Sequence, residues 1–347
     1  MKKGITLIVL LGLYIFPALS QNPPQDKNWE EVFKDSFNTF YTGRWYKEHN
    51  LVKGDYNPNE GKFDEDQHIY YMDNVYTVNG KLVLEAKRLT DSFPCPKGSA
   101  NCQYGGWHKY TSGAIVSNSK YKYGYFEIYA QLPSGTSFFP AFWLWNSDST
   151  PNYWYNEIDI MEANGCEPVW TSCNYWCEFD YPKKHDPKEL SAKNNCDYAD
   201  GNYHWYGVEW DSDRITWYVD RVSVRQIPNN LWGIGIQNPL SIIINLSLIP
   251  PTWDEYCGIN DSLLSNYMYV AQANLYQLKY DCDAIVNEIY NYDEFYYAVK
   301  KSISLSSVSS LYSGENVSLR ATDYIELESG FEVPEGAELY LDINPCE

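Results

Sequence analysis

The sequence predicts an all-β protein, a β-sandwich followed by a small β module. Three observations point there. Aromatic residues suit a pleated, half-buried surface; they make up 17% of the chain, with Tyr 33, Trp 13 and Phe 13 among 347 residues, and are spread along it. Short alternating or aromatic-rich runs recur from Trp29 to Leu278, broken by turn residues, the signal of a sandwich. No segment of helical period longer than a couple of turns stands between 28 and 280, apart from a short one near Asp261 to Asn266.

The chain opens with Lys2 and Lys3, an apolar run from Ile5 to Leu19 and a small-x-small ending at Ala18-Leu19-Ser20. Residues 1–20 are expected to be an export signal cut before Gln21. The run is too short for a comfortable membrane span. Residues 21–27 are a polar, Pro-rich leader, and the β pattern starts at Trp29. Asn74 to Val78 and Lys81 to Ala86 flank Asn79-Gly80, which predicts a hairpin with a tight turn. Thr111 to Ser117 and Tyr123 to Leu132 are the next strands, then the aromatic stretch Phe138 to Trp145. Cys166 to Gly201 reads as a long irregular loop, a stapled wall. Tyr206 to Trp210, Ile215 to Val219, Arg221 to Ile227, Leu240 to Leu246 and Tyr267 to Leu278 complete the sandwich.

The chemistry concentrates in Asn156 to Gly165, Asn-Glu-Ile-Asp-Ile-Met-Glu-Ala-Asn-Gly. On a strand side chains alternate faces, so Glu157 and Asp159 point one way and Ile158 and Ile160 the other. Glu162 is out of step, and one extra residue, a β-bulge, returns it to the face of the other two acids. Crowded carboxylates favour the protonated form of at least one of them. A pair of carboxyl groups about 5–5.5 Å apart, one nucleophilic and one protonated, is what a retaining glycosidase uses. Glu157 is the candidate nucleophile and Glu162 the candidate acid/base. Asp159 lies between them to orient the nucleophile and help hold the proton on its neighbours. The plain alternatives for such a triplet are a solvated acidic face or a calcium cluster.

The segment resembles the signature of glycoside hydrolase family 16 in its bulged form, found in laminarinase-like and agarase-like branches. The resemblance extends in order through Thr111-Ser-Gly-Ala-Ile-Val, Tyr123-Gly-Tyr-Phe-Glu-Ile, Phe139-Pro-Ala-Phe-Trp-Leu-Trp, His204-Trp-Tyr-Gly-Val-Glu-Trp and Ile215-Thr-Trp-Tyr-Val-Asp, and covers about residues 28 to 280. It implies a jelly-roll sandwich with an open cleft on the concave sheet. It also implies substrate contacts: Trp143 and Trp145 on the cleft floor, Trp154 just before the acids, and Glu127 and Asn245 as polar contacts. Three positions depart from the family. Tyr129 stands where an Arg often follows Phe-Glu-x. Ser247 and Leu248 replace the more usual residues after Asn245. Gln272 stands where an Asp often ligates a structural calcium. No metal is therefore expected at the catalytic site and no cofactor is implied; a structural calcium stays an open alternative.

A net charge of −20 and a sequence pI of about 4.6 make nucleic acid a poor partner. A neutral polysaccharide fits best, and a monomer is expected. Nine cysteines in an exported chain read as disulfides plus one left over. Cys95 and Cys102 can close a short loop. Cys166, Cys173, Cys177 and Cys196 can make two bridges, and Cys257, Cys282 and Cys346 are an odd set. Spacing and the lack of paired histidines speak against zinc in the second group.

Residues 281–301 read as a linker or short helix, and 302–347 as a small stacked module of short strands. Residues 281–347 hold 14 acidic and 3 basic residues, over half the net charge. Gly330-Phe-Glu-Val-Pro-Glu-Gly-Ala and the terminal Cys346 give this segment a resemblance to C-terminal β-repeat modules of secreted bacterial proteins.

The expected function is therefore that of an exported enzyme, secreted or held at the cell surface or in the periplasm. It would be an endo-acting retaining glycosidase on a β-1,3- or mixed-linkage β-1,3-1,4-glucan. A galactan hydrolase of agarase, porphyranase or carrageenase type, and a lectin-like sandwich without catalysis, are the competing expectations. A transglycosylase would use the same acids.

Overall fold

The structure is a computed structural model. It describes residues 23, 29–48, 56–57, 62–63, 68–95, 106–146, 156–166, 170–177, 188–189, 192–195, 198–211, 214–229, 236, 238–248, 265–278, 280–290, 292, 299–313 and 315–343. The expected export signal, Trp154 and most of the expected 261–266 helix lie outside the described residues.

Two sheets form the sandwich. The eight-stranded sheet runs in the order Lys188–Glu189, Trp170–Cys177, Asn156–Ala163, Phe138–Trp145, Leu240–Leu248, Ala114–Tyr121 and Trp45–Lys47, with Ala192–Asn195 also beside Trp170–Cys177. The ten-stranded sheet runs Val222–Pro228, Arg214–Val219, His204–Trp210, Gly124–Gln131, Ser265–Leu278, Leu82–Cys95, Gly106–Ser112 and His68–Tyr70. Trp29–Asp35 joins its Ser265–Leu278 strand and Val75–Thr77 its Leu82–Cys95 strand. This is the all-β sandwich expected, with strands distant in sequence side by side, as Phe138–Trp145 and Leu240–Leu248 are.

The core follows from the alternation. Phe126, Phe142, Ile158, Trp210, Trp217 and Ile244 point inward from both sheets into one cluster. Each such large apolar side chain contributes roughly 1.5–3 kcal/mol by leaving water. The Asn79-Gly80 hairpin forms as expected: Val78 and Lys81 exchange backbone hydrogen bonds of 2.9 and 3.1 Å, and Asn79 and Gly80 both have positive φ, the mark of a type I′ turn.

Three expectations need correction. Thr111 to Ser117 is not one strand: the chain leaves the ten-stranded sheet after Ser112 and enters the eight-stranded sheet at Ala114. The segment after Cys166 is not all irregular, because Trp170–Cys177 pairs with the acidic strand and two short strands extend the sheet from it. The bridges imagined among Cys166, Cys173, Cys177 and Cys196 cannot involve all four, since Cys173 is a buried free thiol. Its carbonyl accepts from Arg225 Nη1 at 2.9 Å.

The C-terminal module is a four-stranded sheet of Tyr280–Val286, Val299–Leu305, Asn316–Leu327 and Glu338–Ile343, every pair parallel. The segment read as a linker thus carries the module's first strand. Ile303, Leu305, Val317 and Leu319 stack in a core of their own beneath Ile289 and Leu311. Arg320 of this sheet, itself buried, lies 3.9 Å from Asp211, in the turn that follows the sandwich strand ending at Trp210.

Candidate active site

The strand Asn156–Ala163 lies inside the eight-stranded sheet, between Phe138–Trp145 and Trp170–Cys177. Its pairing carries one extra residue. Asp159 faces Asn174 but Glu162 faces Ser172, and on the other side Trp143 faces Asp159 while Phe142 faces Met161. The bulge therefore sits at Ile160 and Met161. Both point into the core with Ile158 and Ala163, and Glu157, Asp159 and Glu162 emerge together on the opposite face. Apolar side chains on the inner face hold the register, because a slip of one residue would bury the acids and expose the isoleucines.

Residues directly opposite on antiparallel strands share a face, so the pairings map the surroundings of the acids. Trp145 lies beside Glu157, and Trp143 beside Asp159. Asn245, Ala141 and Glu162 form the next row. Val116, Ala141, Trp143 and Ile243 make an apolar floor on this face, against which Phe139 and Trp145 pack. Trp143 is only 5% exposed, and its indole donates to Asn245 Oδ1 at 2.7 Å. Trp145 is half-buried, with its ring 5.8 Å from that of Trp143.

The electrostatics separate the three acids. Glu157 and Glu162 are half-buried, whereas Asp159 is 2% exposed. Burial first, and then the charges of Glu162 and Glu157, push the Asp159 carboxyl well above the usual carboxylate range. This carboxyl also hydrogen-bonds that of Glu157. Asn174 works in the other direction, as a donor to Asp159, and its Nδ2 also donates to Glu162 Oε2. The sequence hides Asn174, because the cysteines around it suggest a stapled loop rather than a strand.

Glu127 belongs elsewhere. It lies on Gly124–Gln131 of the ten-stranded sheet, where Phe126, Ile128 and Ala130 point into the core and Glu127 points away from it. Asn274 Nδ2 donates to it at 2.6 Å and Arg221 Nη2 at 3.3 Å. Its burial outweighs these donors and pushes the carboxyl up to about 7. Tyr129 shares that outward face, stacked on Trp205 with ring centroids 4.7 Å apart. Neither residue joins the acids. Gln272 pairs with Tyr129 on this face.

The family model Glycosyl hydrolases family 16 matches residues 63–253, more than half of the chain. The chain belongs to this family. The match spans the bulged strand and both of its neighbours and leaves the C-terminal module outside. Among relatives of this family 16 chain, it is 28% identical to glucan endo-1,3-beta-glucosidase A1 of Niallia circulans, over 62% of the chain and 33% of that protein. It thus spans about a third of that relative's length. It is 25% identical to a beta-glucanase of Rhodothermus marinus, over 80% of the chain and 94% of that protein. A solved structure from work on endo-acting O-glycanases with which human gut microbiota initiate mucin breakdown matches with a TM-score of 0.60 at 22% identity. It covers 73% of this chain and 92% of its own. At that identity the likeness is one of fold.

Proposed function

We propose that the chain is an endo-acting, retaining glycoside hydrolase that cleaves internal β-linkages of a β-1,3- or mixed-linkage β-1,3-1,4-glucan. The observation that carries this reading is the bulge, which gathers Glu157, Asp159 and Glu162 on one face while their apolar neighbours stay in the core. A protein that only bound glycan would have no use for three carboxyl groups crowded on one face.

In this scheme Glu157 attacks the anomeric carbon as Glu162 gives a proton to the departing glycosidic oxygen. Glu162, now a carboxylate, then takes a proton from water as that water releases the sugar from Glu157. Asp159, hydrogen-bonded to Glu157, keeps the nucleophile oriented and helps hold the proton on Glu162. Asn174 holds the Glu162 carboxyl in one rotamer. Trp145 offers a half-exposed ring beside Glu157 for stacking on a sugar. Two relatives named for glucan hydrolysis support the glucan substrate. The departure at Tyr129 that favoured a galactan loses its weight, since that ring is stacked on Trp205 away from the acids. Export through residues 1–20 and action as a monomer belong to the same proposal.

The test is product analysis of the purified protein on laminarin, lichenan, agarose, porphyran, carrageenan and mucin O-glycans, with the anomer of the first product followed by NMR. Ladders of short oligosaccharides from laminarin or lichenan, released with retained β configuration, are expected. Ladders only from a galactan or mucin would overturn the substrate, and inverted products would overturn the roles of the acids.

A further inference from the structure

The departure from the family at Ser247 has a structural counterpart. Ser247 stands on the Leu240–Leu248 strand two residues beyond Asn245, on the same face, and its Oγ accepts from Asn245 Nδ2 at 2.9 Å. The same Oγ is hydrogen-bonded to the hydroxyl of Tyr70. On the other side of the amide, Trp143 Nε1 donates to Asn245 Oδ1. An indole nitrogen can only donate, so the atom facing it must be the carbonyl oxygen, and the nitrogen of the amide must face Ser247. The carboxamide is held in one of its two orientations by a partner on each end.

Tyr70 is anchored independently of the acids' sheet. It belongs to His68–Tyr70, which pairs with Gly106–Ser112 at the edge of the ten-stranded sheet, and it is buried with its ring 5.0 Å from that of His68. The two sheets are joined at this corner, where Leu246 N donates to Gly113 O. The Tyr70 hydroxyl thus fixes Ser247 from the second sheet. Only Ala141 separates Asn245 from Glu162 across the strands. Two strand spacings are about 10 Å, room for a sugar ring above the small side chain. With Oδ1 taken by Trp143 and one amide proton by Ser247, the second proton of Asn245 has no partner among the described residues.

We propose that Ser247 and Tyr70 are positioning residues that lock Asn245 as a hydrogen-bond donor toward a sugar oxygen of the substrate, two strands from Glu162. This rests on the hydrolase reading above. A donor held in place before binding loses no orientational freedom when the glycan arrives, so its effect falls on substrate affinity rather than on the bond-breaking step.

The experiment compares wild type, Ser247→Ala, Ser247→Thr, Tyr70→Phe, Asn245→Ala and the Ser247→Ala/Asn245→Ala double variant on laminarin and lichenan, with thermal melts of each. Losing the equivalent of one neutral hydrogen bond predicts a KM raised about three- to tenfold in Ser247→Ala and Tyr70→Phe at unchanged kcat. Ser247→Thr, which keeps the hydroxyl, is expected to stay near wild type. In the Asn245→Ala background Ser247→Ala should have no further effect, because the residue it positions is gone. An unchanged KM in Ser247→Ala, or full additivity in the double variant, overturns the inference while the hydrolase reading stands. A wild type that cleaves neither glucan overturns that reading, and the inference with it.

Discussion

The indole nitrogen of Trp217 donates to the backbone carbonyl of Asp159 at 2.9 Å. Trp217 stands on Arg214–Val219 of the ten-stranded sheet and is fully buried, so this hydrogen bond crosses the core from one sheet to the other. It ends where the bulge begins. A bulge leaves part of the ladder unpaired, and in a dry core the carbonyl there needs a donor. Trp217 supplies it. Trp217→Phe keeps most of the apolar volume and removes the donor, an expected loss of about 1–3 kcal/mol. With the bulge free to relax, kcat is expected to fall by about tenfold to a hundredfold. Denaturant unfolding and initial rates on laminarin measure the two effects. Full activity with the expected loss of stability would mean that the bulge needs no support from the second sheet.

The roles of the two glutamates separate on the leaving group. Glu157→Gln should abolish turnover while laminari-oligosaccharide binding, measured by calorimetry, persists. Glu162→Gln should lose about a hundredfold or more on natural glucans, where the departing oxygen needs a proton, and much less on an activated aryl glycoside. Equal losses on both substrates would remove Glu162 from the acid/base role.

Glu127 makes a pH prediction outside the site. Its folded carboxyl sits at about 7 against an ordinary 4.5, so folding favours the neutral form. Its contribution to stability is complete below about pH 4.5, declines as pH rises and is gone above about pH 7. At about 1.4 kcal/mol per unit this amounts to roughly 3 kcal/mol at most. Urea unfolding of wild type and Glu127→Gln between about pH 4.5 and 8 should show a slope in wild type that the variant lacks. Parallel profiles would mean that Arg221 and Asn274 keep Glu127 ionised in the folded protein.

Gly165 ends the acidic segment in a space that admits no side chain. A Cβ there would lie 1.9 Å from the carbonyl oxygen of Gly135 and 3.0 Å from that of Phe138, both backbone atoms. Its own N–H donates to Phe138 O at 2.9 Å, tying the end of the acidic strand to the start of its neighbour. Gly165→Ala is expected to destabilise by about 1–3 kcal/mol and to lower kcat by shifting the bulged strand. A melting temperature equal to wild type would show that the 135–138 turn moves aside at no cost.

Much of the site was legible in the chain. Alternation placed Glu157 and Asp159 on one face, and the odd spacing of Glu162 called for the bulge that the pairing contains. The strand Trp170–Cys177 was harder to see, because four cysteines nearby suggested a stapled loop and masked the alternation that carries Asn174. The parallel order of the C-terminal strands was also hidden, since periodicity gives a strand its two faces but not its direction or its partner.

The sequence by itself determined the sandwich, the family 16 membership and the shared face of the three acids, all set by local periodicity and motif order. Only the tertiary structure decided that the Asp159 carboxyl is pushed well above the usual carboxylate range, because that depends on burial and on charges brought together by packing. Only it decided that Glu127 faces away from the acids, since alternation cannot say which sheet a strand joins. The same holds for the bonds from Trp217 to Asp159, 58 residues apart, and from Tyr70 to Ser247, 177 residues apart. A hydrogen bond is short and directional, and residues so far apart in sequence come within its reach only when two sheets have closed on one core.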